Sequence, residues 1–281
     1  MRSLICLGVL LFSLIFSVGV FADNIVAPYA PGIATIKKTG VLSLAIYNAN
    51  QAPFFSRDAK GNWVGVDIDF ANMIAGQLGV KLVIEPAPTF NDVINMVAAG
   101  KADIGLGLVS ITPQRALLVR FSNPYYTFHP YLLVNRLQLE QAGWNLNNVV
   151  DEVQDSGRAL KIGALASSAN IALLQEALPQ AQIVTFPNSD AMMRAVAQGQ
   201  IFAAVSDTPE QLKQWLQKNP EAAVTTGMAM IASHTALFGV ALSWNEEGLR
   251  QWLNIYINYL QMNGVLADLL QKYGVAQGLA S

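Results

Sequence analysis

The stretch Gly107-Leu108-Val109-Ser110-Ile111-Thr112-Pro113-Gln114-Arg115 begins as the end of a strand and finishes as the start of a helix. Thr112 suits the cap of that helix, and Pro113 suits its first position, where no amide partner is needed. The unpaired amides of a helix start favour an anion, and Arg115 adds a planar two-pronged donor that matches a carboxylate. Ser110, at the strand tip, offers a further hydrogen bond. The stretch therefore predicts a strand-to-helix junction that can hold a carboxylate.

Strands and helices alternate on both sides of this junction. Short β-rich segments are separated by helical segments whose apolar residues recur at three- and four-residue spacing. This order is typical of α/β units with mostly parallel strands. Strands are predicted at residues 42–47, 81–85, 102–108, 162–165, 183–186 and 202–205.

Two places in the chain share one plan. Val97-Ala98-Ala99-Gly100-Lys101-Ala102-Asp103-Ile104 and Ala195-Val196-Ala197-Gln198-Gly199-Gln200-Ile201-Phe202 each run from a helix through glycine into a strand. The repetition predicts two similar lobes. A polar stretch, residues 136–158, lies between them with helical fragments at most. If the helices predicted at 246–262 and 264–273 pack on the first lobe, the chain crosses between the lobes twice.

Composition narrows the class of protein. The chain has 281 residues, of which 13% are charged and 53% hydrophobic, with a formal net charge of -2. These values describe a globular chain long enough for one large domain or two small ones. Because no basic excess is present, we expect no nucleic-acid partner.

The N-terminus predicts export. Met1-Arg2 supply a positive start, residues 4–20 an apolar core, and Val20-Phe21-Ala22 a cleavage signal. We expect a signal peptide at residues 1–22, a mature chain from Asp23, and a periplasmic location. A retained membrane anchor is the alternative, since the apolar run approaches spanning length. The chain's one cysteine, Cys6, lies in the signal, so we expect a mature chain without disulfides or cysteine metal ligands.

A set of motifs, taken together in order and spacing, resembles a known family. The family is that of the type II periplasmic solute-binding proteins, and within it the polar amino acid binding proteins of ABC importers, bacterial solute-binding protein family 3. The resemblance covers residues 36–274. The motifs are Gly65-Val66-Asp67-Ile68-Asp69, Gly100-Lys101-Ala102-Asp103, Ser110-Ile111-Thr112-Pro113-Gln114-Arg115, Phe121-Ser122-Asn123-Pro124-Tyr125-Tyr126, and Asn263-Gly264-Val265 with Tyr273.

The resemblance implies a two-lobed α/β fold of the periplasmic-binding-protein type, with mostly parallel sheets and two hinge crossovers. Lobe one is expected at residues 23–127 and again at 239–281, and lobe two at 128–238. A ligand held by both lobes would favour a closed form by motion at the hinges, near residues 126–130 and 237–239. A membrane permease would read that closure, and we expect the protein to act as a monomer.

The resemblance also assigns the ligand's charged groups. Arg115 and Ser110, with Leu108 beside them, are expected to hold the α-carboxylate in lobe one, and Asp207 to hold the α-ammonium in lobe two. Two simpler readings stay open: Arg115 solvates a surface helix, or Asp207 only caps the helix that follows it. The amides of Ser168 and Ala169 are expected to complete the carboxylate contacts. The chain departs from many relatives here, because Ser167-Ser168-Ala169 stands where they have Gly-Thr-Thr or Gly-Ser-Thr.

The resemblance places four further residues around the ligand side chain. Phe90 matches a stacking aromatic, Asn48 and Gln51 match lining positions, and Leu165 stands where some relatives have a polar contact. None of the four carries a charge, so we expect a neutral or polar uncharged L-amino acid. The alternative for Phe90 is a place in the core, where aromatic residues usually lie.

Other functions have less support in the sequence. His129 and His234 lie far apart without a ligand cluster, so we expect neither a metal nor another cofactor. We expect a binding protein rather than an enzyme. The main alternative is a cyclohexadienyl dehydratase acting on prephenate or arogenate on the same fold, which needs a general acid that we do not find among the pocket positions. A periplasmic sensory domain is a third reading, for which we expect a continuation into a membrane helix that is not seen before Ser281.

Overall fold

The computed structural model describes residues 28–275. The predicted signal peptide, residues 1–22, and the expected mature start at Asp23 lie outside the described residues. In the described part of the chain, no helix is both long enough and apolar enough to cross a membrane.

The first half of the chain alternates strands and helices in the predicted order. The second helix ends at Gly79, whose φ of 65° is the left-handed conformation that favours glycine after a helix. The elements are α1 (Pro31–Thr39), β1 (Val41–Tyr47), β2 (Ser56–Arg57), β3 (Trp63–Val64), α2 (Val66–Leu78), β4 (Lys81–Ala87), α3 (Phe90–Ala98), β5 (Ile104–Gly105), α4 (Pro113–Ala116), β6 (Arg120–Phe121) and β7 (Tyr126–Phe128).

The second half repeats the alternation and ends in two helices. The polar stretch 136–158 contains two short helices, in agreement with the fragments expected there. The elements are β8 (Tyr131–Asn135), α5 (Arg136–Gln141), α6 (Val149–Ser156), β9 (Lys161–Leu165), α7 (Asn170–Ala177), β10 (Gln182–Phe186), α8 (Ser189–Ala197), β11 (Ala203–Ser206), α9 (Pro209–Lys218), α10 (Pro220–Thr225), β12 (Thr226–Met230), β13 (Ala236–Phe238), β14 (Ala241–Leu242), α11 (Glu247–Met262) and α12 (Val265–Lys272).

Two five-stranded sheets share one pattern. The first has the order β4-β1-β5-β14-β6 and the second the order β10-β9-β11-β8-β12. In each sheet the first three strands are parallel, and the last two join by antiparallel pairing. The two repeated segments of the sequence lead into β5 and β11, which hold the same central position. The predicted two-lobed α/β fold is confirmed, and its sheets are mixed, because two of the four strand pairings in each sheet are antiparallel.

The crossings between the two sheets run side by side. β7 pairs antiparallel with β13, and the pair forms a separate two-stranded sheet. Aromatic rings pack around it, with Phe54 5.4 Å from Tyr126 and Phe128 5.1 Å from Phe238 between ring centres. The predicted hinge segments, residues 126–130 and 237–239, overlap these strands. The division of the chain at residues 127/128 and 238/239 stays a prediction.

The central strands give the site a rigid base. In β1, Leu42, Leu44 and Ile46 have no exposed surface. Each such side chain contributes roughly 1.5 to 3 kcal/mol by leaving water. β1 lies between β4 and β5 and contacts α1, α2 and α3, as expected for a parallel strand whose faces are covered by helices.

The strand predicted at residues 102–108 is shorter than expected, because only Ile104–Gly105 pairs as β5. Gly107 has φ 101° and Leu108 has φ 51°, and both values turn the chain out of the extended conformation. The apolar run that looked like one strand is therefore a short strand followed by a buried turn.

Candidate functional site

The junction after β5 has a tighter geometry than the sequence predicts. Thr112 caps α4 by accepting a hydrogen bond from the Arg115 amide at 3.2 Å, and Pro113 takes the first position, as expected. The helix is only four residues long, and Thr112 already engages the Arg115 amide. Thr112 thus takes up one amide of this short helix start, and the expectation that its free amides favour an anion stays a prediction. The guanidinium of Arg115 is the cationic group at the junction.

Arg115 is buried rather than solvated. Its side chain is 8% exposed, and its Nη1 donates to the carbonyl oxygen of Ser110 at 3.1 Å. Burial lowers the pKa of Arg115, and the carboxylate of Asp207 acts in the opposite direction. An arginine remains charged in proteins. The reading of Arg115 as a solvated surface residue is wrong.

Asp207 follows β11 in the second lobe. It is 8% exposed, and its Oδ1 accepts a hydrogen bond from Asn170 Nδ2 at 3.0 Å. Burial raises the pKa of Asp207 to about 6, while Asn170 and the charge of Arg115 act to lower it. The helix that follows is capped by Thr208, which accepts from the Gln211 amide at 3.2 Å. Asp207 is therefore not the helix cap.

Arg115 and Asp207 face each other electrostatically from different lobes. Each perturbs the pKa of the other, although both are largely shielded from water. Among the ion pairs of the described residues, none joins these two side chains directly. A cation and an anion that are buried and set apart can each bind one charged group of a small zwitterion.

Asn170 is a site residue that the sequence reasoning missed. It is 5% exposed, begins α7, and contacts Asp207 across 37 residues of sequence. The expectation at this turn concerned the neighbouring amides of Ser168 and Ala169. The available signal was an asparagine at a predicted helix start, directly after the turn Ser167-Ser168-Ala169.

The turn before α7 uses its own hydrogen-bonding groups. The Ser168 amide donates to the Leu165 carbonyl at 3.2 Å, and the Ser168 hydroxyl donates to the same oxygen at 2.8 Å. In this arrangement the Ser168 amide is engaged within the turn, contrary to its expected role towards a carboxylate. Ala169 occupies the cap of α7 without a side-chain bond. Ser167 has φ 60°, a left-handed conformation that favours glycine.

Of the residues expected around the ligand side chain, Phe90 and Leu165 are buried and Asn48 is exposed. Phe90 is 3% exposed and packs on Tyr47, with 4.6 Å between ring centres, so it lies in the core, and its contact with a ligand stays a prediction. Leu165 is 6% exposed at the end of β9. Asn48 is exposed, and its backbone N–H donates to the Ala87 carbonyl at 2.8 Å. The structure therefore does not bring the Asn48 side chain into the buried site.

Gln51 joins the two lobes. Its Oε1 accepts a hydrogen bond from Gln211 Nε2 at 2.7 Å, and its Nε2 donates to Ser189 Oγ at 3.2 Å. Tyr47 makes another contact of this kind, from its hydroxyl to the Pro187 carbonyl at 3.4 Å. We refer to the Gln51–Gln211 contact as the amide latch. It indicates a closed arrangement of the lobes.

A cavity of about 310 Å³ opens beside the amide latch. It lies between the Gln51 loop and helices α8 and α9, and Trp215 forms part of its wall. Neither Arg115 nor Asp207 lines it. The cavity is therefore at the rim of the cleft, apart from the two buried charges.

Glu210 is a buried carboxylate of lobe two that the sequence analysis did not single out. It is 5% exposed and lies in the first turn of α9, three residues after Asp207. It interacts electrostatically with Tyr126 of the hinge strand β7, whose pKa is raised by burial first and by Glu210 second. A buried carboxylate therefore lies where lobe two meets the hinge.

The two histidines approach each other in the fold. His129 Nδ1 lies 2.7 Å from the carbonyl oxygen of His234, and His234 Nε2 lies 3.8 Å from Glu176. Within residues 28–275, no group of three or more histidine, cysteine or acidic residues is placed to hold a metal ion.

Known proteins match this chain over most of its length. The chain is 24% identical over 236 residues to a probable histidine-binding protein of Neisseria gonorrhoeae, and the match covers 82% of each chain. It is 25% identical over 228 residues to the lysine/arginine/ornithine-binding periplasmic protein of Escherichia coli (strain K12), covering 79% of this chain and 83% of that protein.

A solved structure of an amino acid-binding protein is also similar to this chain over most of its length. The ancestral amino acid-binding protein AncCDT-1, a precursor of cyclohexadienyl dehydratase, superimposes with a TM-score of 0.72 at 26% identity, covering 87% of this chain and 99% of that chain. The profile of the bacterial extracellular solute-binding proteins, family 3, matches residues 44–276. The chain therefore belongs to the bacterial extracellular solute-binding proteins of family 3.

Proposed function

We propose that this protein is the periplasmic substrate-binding component of an ABC importer, which captures an L-amino acid between its lobes and delivers it to an inner-membrane permease. The observation that carries the proposal is the pair of buried charges, Arg115 in lobe one and Asp207 in lobe two, which form no direct ion pair. A free amino acid has one group for each. We propose that the protein acts as a monomer.

The division of charge between the lobes supplies a mechanism for closure. Arg115 offers its fork to the α-carboxylate, and Asp207 with Asn170 behind it offers an acceptor to the α-ammonium. Because each lobe binds only one group, the ligand interacts fully only when the lobes close. A ligand with higher affinity for one of two states shifts the protein towards that state. The hinges would lie at residues 126–130 and 237–239, where β7 and β13 pair.

We further propose an uncharged ligand side chain. Of the positions expected to surround it, the buried residues Phe90, Leu165 and Gln51 carry no charge, and Gln51 is hydrogen-bonded to lobe two. Relatives named for histidine and for lysine, arginine and ornithine make the basic amino acids the natural competitors. The test must therefore include both classes.

The test is thermal unfolding of the mature protein, stripped of bound ligand by unfolding and refolding, against all L-amino acids and small carboxylates. A ligand at a hundred times its dissociation constant adds about 2.7 kcal/mol of stability. We expect one or a few uncharged amino acids to raise the midpoint, and Arg115→Ala to remove the shift. Arg57→Ala, an exposed arginine of lobe one, is the matched control and should keep it. An Arg115→Ala protein that binds as well as the native one would contradict the assignment.

One observation favours a second candidate, the cyclohexadienyl dehydratase activity. Such an enzyme needs a general acid for the leaving hydroxyl, and Glu210 is a buried carboxylate close to the hinge. The chain's similarity to a precursor of that enzyme also supports this second candidate. Assay of prephenate and arogenate turnover decides between the candidates: turnover that disappears in Glu210→Gln supports the enzyme, and no turnover leaves the binding function.

A further inference from the structure

A buried carboxylate that forms no hydrogen bond or ion pair with Arg115 or Asp207 lies behind the turn of Leu108. Asp67, in the first turn of α2, has no exposed surface. Its Oδ1 accepts a hydrogen bond from the Tyr125 hydroxyl at 2.7 Å, and its Oδ2 accepts one from the Leu108 amide at 3.1 Å. Burial raises the pKa of Asp67 to about 7, and these two bonds act to lower it. Because an acid is costly to bury, it must do something here that an apolar side chain cannot.

The turn that Asp67 contacts is a strained one. Leu108 adopts φ 51°, a left-handed conformation that is unfavourable for a residue with a Cβ atom. Gly107 before it has φ 101°, and a Cβ there would lie 2.7 Å from Ile46 Cγ1, so only glycine fits. The hydrogen bond from the Leu108 amide to Asp67 holds the chain at this tight point. The surrounding structure must maintain such a conformation, and strain of this kind is concentrated at functional sites.

Asp67 also links the turn to the hinge. Tyr125 is 5% exposed, its amide donates to the Phe238 carbonyl at 2.9 Å, and the next residue begins β7. One carboxylate therefore connects α2, the turn after β5 and the entry to a hinge strand. The turn leads directly to Ser110, whose carbonyl holds Arg115.

We propose that Asp67 and Tyr125 are positioning residues for the ligand site: they hold the Leu108 turn so that the Ser110 carbonyl aims the guanidinium of Arg115 into the cleft. Neither residue touches the ligand in this role. The inference rests on the proposed function, because it assigns both residues to the same site.

Four variants separate positioning from general stability. Asp67→Ala removes both hydrogen bonds and Tyr125→Phe removes one. Asp67→Asn can keep both, since its oxygen accepts from the Leu108 amide and its nitrogen donates to Tyr125. Ile74→Ala is the control, because Ile74 is fully buried on the same helix and takes no part in these contacts.

The first readout is ligand affinity, measured well below the unfolding midpoint with the amino acid that the thermal screen identifies. We expect Asp67→Ala to lose about tenfold or more, Tyr125→Phe to lose less, and Asp67→Asn to stay within about threefold of the native protein. Ile74→Ala should lower the unfolding midpoint with little change in affinity. An equal loss of affinity in Ile74→Ala and Asp67→Ala would overturn the proposal, because the effect would then be one of stability.

The second readout needs no ligand. Hydrogen exchange of the Leu108 amide should be fast in Asp67→Ala, intermediate in Tyr125→Phe, and protected in Asp67→Asn and Ile74→Ala. Unchanged protection in Asp67→Ala, or in Tyr125→Phe if the alanine variant does not fold, would show that the pair does not hold the turn. If the native protein binds no amino acid, the proposed function fails, and the exchange result still decides whether Asp67 holds the turn.

Discussion

The two lobes have the same strand order but hold their charges by different means. In lobe one, Arg115 is bonded to the Ser110 carbonyl, so its position follows the path of the backbone. In lobe two, Asp207 is bonded to the side chain of Asn170, which comes from a different helix. The same topology therefore supports a cation fixed by main chain and an anion fixed by a side-chain partner.

The turns beside the two charges show the same contrast. Leu108 and Ser167 are the two non-glycine residues of the described chain with positive φ, and they follow β5 in lobe one and β9 in lobe two. Distant Asp67 holds the Leu108 amide, whereas the turn at Ser167 is closed locally by Ser168 bonding to Leu165. Lobe one therefore depends on a long-range contact and lobe two on a local one, and the predictions below separate these dependences.

The largest effect is expected when lobe two loses its charge. Asp207→Asn should weaken ligand binding by roughly 2 to 5 kcal/mol, because the ligand ammonium would be buried without a counter-ion. The same change should stabilise the ligand-free protein by about 1 to 3 kcal/mol, since ionised Asp207 is buried at a cost that raises its pKa to about 6. Calorimetry and denaturant unfolding measure the two effects. A variant that loses both affinity and stability would contradict this account.

Acidification should weaken ligand binding while it stabilises the ligand-free protein. In the ligand-free protein, burial raises the pKa of Asp207 to about 6. The stabilisation that comes from protonating Asp207 is therefore fully present below about pH 4 and is lost as the pH rises through 6. The ammonium of the ligand needs the ionised form. Affinity should therefore fall by about tenfold between pH 7 and pH 5. Titration calorimetry at both pH values tests this, and Asp207→Asn should remove the dependence.

The amide latch should make a smaller contribution to closure. Gln211→Ala removes its hydrogen bond to Gln51, and we expect a loss of ligand affinity of about 1 kcal/mol, since that bond forms between the lobes. Gln214→Ala is the control, because Gln214 is on the same helix and lines the rim cavity without joining the latch. Energy transfer between labels on the two lobes should show a more open Gln211→Ala protein. Equal effects of the two variants would rule out the latch.

The smallest effect concerns the two left-handed residues. Ser167→Gly should raise stability by about 1 kcal/mol, because glycine adopts positive φ without strain and the serine is only partly buried. Leu108→Gly relieves the same strain but removes a side chain that is 2% exposed, so it should destabilise the protein. Chemical denaturation of the two variants compares them. The same sign for both would mean that the turns are not distinguished by burial.

The sequence predicts much of the fold because most of that information is local. The spacing of apolar residues and the glycine stops identify the order of strands and helices, and the repeated segments correctly indicate two similar lobes. The pattern misplaces the end of β5, since an apolar run does not distinguish a strand from a buried turn. Thr112 and Pro113 correctly mark a helix start, but they do not show that the helix is only four residues long.

The candidate site is predicted less completely, because several of its contacts join distant parts of the chain. Gln51 and Gln211 are 160 residues apart, and Asp67 reaches Tyr125 over 58 residues. Asn170 and Glu210 sit at helix starts, where polar residues usually serve as caps or stabilise the helix end. Their burial depends on how the lobes and helices pack, which a single sequence does not display.

The central claim is that the two charges of one ligand are divided between the lobes. The most direct test is a calorimetric cycle with the amino acid found in the thermal screen and its analogue lacking the carboxylate, on native protein and on Arg115→Ala. We predict that loss of the carboxylate weakens binding strongly in native protein and has little further effect in Arg115→Ala. An equal loss in both proteins would show that Arg115 does not hold the carboxylate and would contradict the account.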